Sequence, residues 1–193
     1  MGGETLDFKQ EETSDERARQ RWMENARENP FVITKTKKGL GLIVVRTPIE
    51  MSEKVEYRAF EDTPENRALA KKDAQKLAHK SGRVAWLFPG PLFEGTTLVT
   101  NARVYDKETN GESQRKQGIG TVMYDLLEKD VQASGGKGIE PQWGQMSNEA
   151  IAFWRKRIGK KNPTLVEHIE KFGWKEIPFT DLPKIKEELF KET

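Results

Sequence analysis

The sequence predicts an α/β fold of the α+β kind, a mixed sheet flanked by helices, and three observations carry that expectation. Runs of alternating hydrophobicity are interleaved with runs of helical period, and several helix starts carry capping signals. A chain of 193 residues is also long enough to bury about 70% of its unfolded surface around one core.

Thr13-Ser14-Asp15-Glu16 has capping-box spacing and opens a charged helix to about Arg27, with a narrow stripe of Ala18, Trp22 and Ala26. That stripe fits a helix anchored across the surface by Trp22, or a docking arm for a second copy or a protein partner. Phe31 to Thr36 and Leu40 to Arg46 read as a hairpin, and Val55 to Phe60 as a third strand. Thr63-Pro64-Glu65 starts a helix whose apolar face is Leu69, Ala70, Ala74, Leu77 and Ala78. Arg83 to Phe88 is expected to be a strand stopped by Pro89-Gly90-Pro91. Thr97 to Tyr105 is another, with Leu98, Thr100, Ala102 and Val104 on one side. Asp106 to Ser113 reads as a turn or loop around Asn110-Gly111.

A helix then resumes near Gly118, with Ile119, Met123, Leu126, Leu127 and Val131 inward and Ser134-Gly135-Gly136 at its end. Ile139 to Trp143 is a short strand, and Ser147 caps a helix to about Ile158. Thr164 with Glu167 repeats the capping-box spacing, Trp174 to Phe179 reads as a last strand, and Asp181 to Lys191 as a terminal helix.

Composition narrows the chemistry. With no cysteine there is no disulfide, thiolate nucleophile or thiolate-bound metal, and His79 and His168 are too few for a zinc site or a Ser–His–Asp triad. The 33 basic and 31 acidic residues leave a net charge of +2, which argues against nucleic acid as a partner. The longest apolar run, Leu40 to Val45, is too short to span a membrane, and no apolar segment follows the N-terminus. The expectation is a soluble cytoplasmic protein without membrane contact.

The most informative stretch is Arg115-Lys116-Gln117-Gly118-Ile119-Gly120-Thr121, at the start of an amphipathic helix. First-turn amides have no intrahelical partner, and the helix dipole adds positive potential, so an anion is stabilised there. Gly118 and Gly120 leave the backbone open to a pyrophosphate, with Arg115 and Lys116 adding charge. The alternative is a glycine-softened helix start.

Arg115-x-x-Gly118-x-Gly120 resembles the pyrophosphate-binding signature of the GNAT superfamily of N-acetyltransferases. Asn148-Glu149-Ala150-Ile151-Ala152-Phe153-Trp154 is similar to that superfamily's next motif, and Phe172-Gly173-Trp174 to a later step into a strand. Tyr57 to Asp62 before a helix resembles its first strand. The resemblance covers roughly residues 55 to 178. It implies a mostly antiparallel, twisted, GNAT-like sheet in residues 51–193, with residues 1–50 as an extension of helix and hairpin.

The resemblance also implies acetyl-CoA as co-substrate, lying between the strand ending near Tyr105 and the strand Ile139 to Trp143. Arg115, Lys116, Gln117, Gly118, Ile119, Gly120, Thr121 and Asn148 would bind it, and an amine of unspecified identity would accept the acetyl group. Trp154 stands near the family's frequent thiolate-protonating Tyr, and an indole cannot do that work. The catalytic candidates are therefore Glu140, as a base acting through water, and Tyr124. Their alternatives are a solvated edge residue and a half-buried helix residue. The cluster Arg155, Lys156, Arg157, Lys160 and Lys161 fits either a helix C-terminus or a contact with an acidic molecule. A catalytically reduced GNAT-like binding or assembly module, of a phage-related kind, is the second functional expectation.

Overall fold

The computed structural model describes residues 13–105, 108–109, 112–113 and 117–190. Among them it shows a mixed α/β architecture, with one six-stranded sheet flanked by seven helices. The strands are β1 (Phe31–Lys35), β2 (Gly41–Ile49), β3 (Lys54–Glu61), β4 (Ala85–Phe93), β5 (Thr96–Val104) and, beyond a two-stranded ladder of β6 (Glu108–Thr109) and β7 (Glu112–Ser113), β8 (Gly138–Pro141). The order is β1-β2-β3-β4-β5-β8, antiparallel throughout except for the parallel pair β5 and β8. The helices are α1 (Ser14–Glu28), α2 (Pro64–Lys72), α3 (Ala74–His79), α4 (Ile119–Ala133), α5 (Asn148–Lys161), α6 (Pro163–Phe172) and α7 (Leu182–Leu189).

Each face of the sheet has its own core. On one side α1 and α4 to α7 bury Trp22, Tyr57, Leu87, Ile119, Leu127, Ile158 and Ile169 together. On the other, α2 and α3 cover Ile43, Val45 and Phe60 with Ala70, Ala74, Leu77 and Ala78. Helix α1 begins with the anticipated capping box, in which the Thr13 amide donates to the Glu16 carboxylate at 2.6 Å and the Glu16 amide donates back to Thr13 Oγ1 at 3.2 Å. Its apolar stripe, with Met23 added, is buried in the larger core, and Trp22 is only 1% exposed.

Several elements depart from the sequence expectation, each for a local reason. The helix expected after Thr63 is two helices, because Asp73 leaves the helical conformation and caps α3 by accepting from the Lys76 amide. Strand β4 runs through Pro89 and Pro91 to Phe93. Register shifts on either side of Pro89 accommodate residues that cannot donate to the ladder. On β5, Leu98, Thr100 and Ala102 face solvent, while Thr97 and Val99 are buried.

The segment expected as a loop before Gly118 contains the β6–β7 ladder. Strand β8 ends at Pro141, short of Trp143. The cap of α6 is Asn162 with Pro163 in the first turn, so Thr164 lies inside the helix. Trp174 to Phe179 is not a strand: it is an irregular segment, held where Trp174 stacks on Trp143 with centroids 6.4 Å apart.

Arg46 of β2 makes a bidentate pair with Asp130 of α4, Nε to Oδ2 at 2.6 Å and Nη2 to Oδ1 at 2.9 Å. Tyr57 of β3 donates its hydroxyl to the same Oδ2 at 2.9 Å, and Trp22 of α1 donates Nε1 to that hydroxyl oxygen at 2.9 Å. Burial, reinforced by the neighbouring Asp130 charge, pushes the Tyr57 hydroxyl well above its ordinary 10.0. Removing one partner of such a pair strands the other, so Asp130→Asn should lower the unfolding free energy by about 3 kcal/mol in a urea melt. The pH dependence has a defined sign. The folded state keeps the Tyr57 proton above pH 10.0 while the unfolded chain releases it, so stability should fall as pH rises past that value. A Tyr57→Phe variant should show a flatter decline over the same range.

Candidate functional site

Helix α4 starts at Gly118, which serves as its N-cap with φ 82° and ψ 14°. This left-handed conformation suits glycine, and no side chain is present to cover the first-turn amides. A Cβ built on Gly120 would stand 3.8 Å from Val104 Cγ2, so the backbone of the first turn lies close against the end of β5. Ile119 sends its side chain into the core and is fully buried, which leaves Gly120 and Thr121 facing outward.

A cleft of about 520 Å³ opens at this point, a size suited to a small-molecule ligand. Its walls are Ala85 to Leu87 of β4, Ala102 to Val104 of β5, Gly118, Gly120, Thr121, Met123 and Tyr124 of α4, and Ser147, Glu149, Ala150 and Phe153 at the start of α5. Two helix N-termini therefore meet at one opening. The second is capped by Ser147, whose hydroxyl accepts from the Ala150 amide at 3.2 Å.

The position of the cleft follows from the sheet. Strand β8 pairs with β5 only from Thr96 with Gly138 to Val99 with Pro141. From Thr100 to Val104, β5 has no strand on that side among the described residues. Strand β8 ends there, and α4 and α5 line the cleft beside Ala102 to Val104 of β5.

The sequence candidates fall into separate places. Gly118, Gly120, Thr121 and Tyr124 come together on the cleft wall; Ile119 contributes only its backbone, and Gln117 is half-buried just before α4. Arg115 and Lys116 lie outside the described residues. Asn148, the first residue of α5, is exposed, while its neighbours Ser147 and Glu149 line the cleft.

Tyr124 is half-buried, its ring 4.5 Å from Phe153 and edge-on to Trp154 at 5.5 Å. Burial pushes its hydroxyl up to about 12, so at neutral pH it holds its proton. Trp154 itself is a core residue, 3% exposed.

Glu140 is away from the cleft wall, and it is not a solvated edge residue: it is 2% exposed. Its carboxylate accepts from Thr96 Oγ1 at 3.1 Å and Trp143 Nε1 at 3.4 Å, and pairs with Lys186 Nζ at 3.0 Å. It ties β8 to α7. The basic cluster is also largely engaged within the fold. Arg157 pairs with Asp125 and Glu128, Lys161 with Glu128, and Arg155 with Glu170.

Sequence reasoning missed Trp86 and Arg103. They line the cleft from β4 and β5 and are directly opposite one another in the ladder. The alternation of Trp86 with Phe88 was the available signal.

Glu140→Ala would leave the Thr96 hydroxyl and the Trp143 N–H without their acceptor. It should lower stability by about 2 kcal/mol in a denaturant melt. Lys186→Ala should cost at least as much, since it leaves the Glu140 carboxylate, 2% exposed, without its counter-charge. Set against family models, curated proteins and solved structures, the chain matches none of them.

Proposed function

We propose that the chain is an acetyl-CoA-dependent N-acetyltransferase of the GNAT type, acting on a primary amine. The observation that carries this reading is a cleft at the start of a glycine-capped helix, lined by the end of β5 beyond its parallel pairing with β8. The residues present fit the co-substrate. A left-handed glycine exposes first-turn amides, a second helix N-terminus faces the same opening, and the β5 edge is open over Thr100 to Val104.

Acetyl-CoA supplies an activated acyl thioester on a pyrophosphate-bearing arm. The amides of Ile119, Gly120 and Thr121, with the α4 dipole behind them, stabilise a doubly charged group. The open main chain of β5 offers alternating N–H and C=O groups to an extended amide-bearing arm, in the manner of an added strand. Tyr124 holds a proton on its hydroxyl at neutral pH and is the cleft's candidate donor to a departing thiolate sulfur. Glu140 takes no part, being committed to Lys186, Thr96 and Trp143. Beyond α6 the chain runs through the irregular segment Trp174 to Phe179 where the resemblance implied a strand.

A binding or assembly module without catalysis is favoured by one observation, the burial of Trp154 where the resembled family often has its acid. Binding and turnover separate the two readings. Acetyl-CoA at about a hundred times its dissociation constant should raise the unfolding free energy by about 2.7 kcal/mol. Unchanged stability sinks the cofactor assignment, and binding without thiol release across a panel of amines favours the module.

Gly120→Glu, which puts bulk and negative charge at the α4 start, should abolish the shift while leaving the fold intact. Retained binding in that variant would place the anion site elsewhere. Tyr124→Phe should reduce kcat by about a hundredfold with little change in the KM for acetyl-CoA, as measured by thiol release.

A further inference from the structure

Helices α2 and α3 cover β2 and the Phe60 end of β3, but the same sheet face continues onto β4 and β5. Arg58 is opposite Trp86, and Trp86 opposite Arg103, which places their side chains on one face. Trp86 and Phe88 lie side by side there, with ring centroids 5.7 Å apart. Lys54 Nζ stands 3.8 Å from the Phe88 ring centroid. At the far end, the guanidinium groups of Arg83 and Arg103 are 5.4 and 5.3 Å from the centroid of Tyr105, and Arg83 Nε donates to the Tyr105 hydroxyl at 2.9 Å.

Among the described residues the charge on this face is one-sided. Glu56 is its buried acid, already held by a bidentate Arg58 and by Trp86 Nε1, which also fixes the indole in place. Lys54, Arg83 and Arg103 form no ion pair among the described residues. The near-zero net charge of the chain conceals this local excess.

We infer that the face built from Lys54, Arg83, Trp86, Phe88, Arg103 and Tyr105 binds single-stranded nucleic acid. Three partly exposed rings give this surface stacking partners for unpaired bases, and the cations that lie against Phe88 and Tyr105 meet the phosphates. An acidic peptide would use the cations and leave the rings idle. Binding here stands independently of the acetyltransferase reading, because the test needs no acetyl-CoA.

The probe is a fluorescein-labelled oligothymidylate about fifteen nucleotides long, titrated with the full chain in about 50 mM salt and followed by anisotropy. Saturable binding is expected, weakened about tenfold or more by Arg103→Glu and by Lys54→Glu, with the log–log salt slope shallower by about one in each. Lys156→Glu and Lys160→Glu, on α5, should bind as the parent does. Polyglutamate of matched charge should compete at least about tenfold more weakly than unlabelled oligothymidylate, since it brings no bases. The proposal is overturned by an absence of saturable binding, by equal losses in the α5 variants, or by equal competition from polyglutamate, which would mark an acidic-peptide site.

Discussion

The architecture depends on the bidentate pair between Arg46 and Asp130. A carboxylate and a guanidinium, each largely withdrawn from water, offset their desolvation only if the geometry is good and the remaining hydrogen-bonding capacity is used. Both conditions hold. Asp130 accepts from Arg46 Nε, Arg46 Nη2 and Tyr57, and Arg46 Nη1 reaches the carbonyl of Asn29 at the end of α1. Burial alone would depress Arg46, and Asp130 more than reverses this, holding the guanidinium above its ordinary value. With Trp22 donating to Tyr57, one polar junction fixes α1, β2, β3 and α4 relative to each other. The start of α4 lies three turns away on the same rigid helix, so the cleft inherits its position from this junction.

What the sequence made legible was mostly local. Thr13 with Glu16, Thr63 with Pro64, and Ser147 each signal a helix start within four residues, and each forms the expected cap. Competition between neighbouring signals was harder to read. Asn162 with Pro163 outbids Thr164 because an asparagine side chain accepts from the Leu165 amide and proline suits the first turn. Asp73 breaks one amphipathic run into two helices, although the apolar residues on both sides still reach the same core. Pro89 and Pro91 read as a stop because they cannot donate to a ladder, but register shifts carry β4 past them.

The site divides along the same line. The glycine start of α4 depends on residues next to each other, and it was readable. The commitment of Glu140 was not, since Lys186 arrives from a helix far along the chain and Thr96 from a neighbouring strand. Likewise Trp86 acquires meaning only when the register puts Arg58 on one side of it and Arg103 on the other. Trp174, hydrophobic and followed by Ile177 and Phe179, is satisfied by stacking on Trp143 and needs no ladder.

The end of the β5–β8 pairing is set by what cannot pair. Pro141 lacks an amide hydrogen and is the last residue of β8 in register, opposite Val99; beyond it the chain turns away through Gly144 at φ 84°. An unpaired strand edge is ordinarily a hazard, because any extended chain can add to it. Here the end of that edge, Ala102 to Val104, lines a cleft walled by α4 and α5. A proline at the end of a short strand thus leaves the far end of β5 without a parallel partner among the described residues, with two helices beside it.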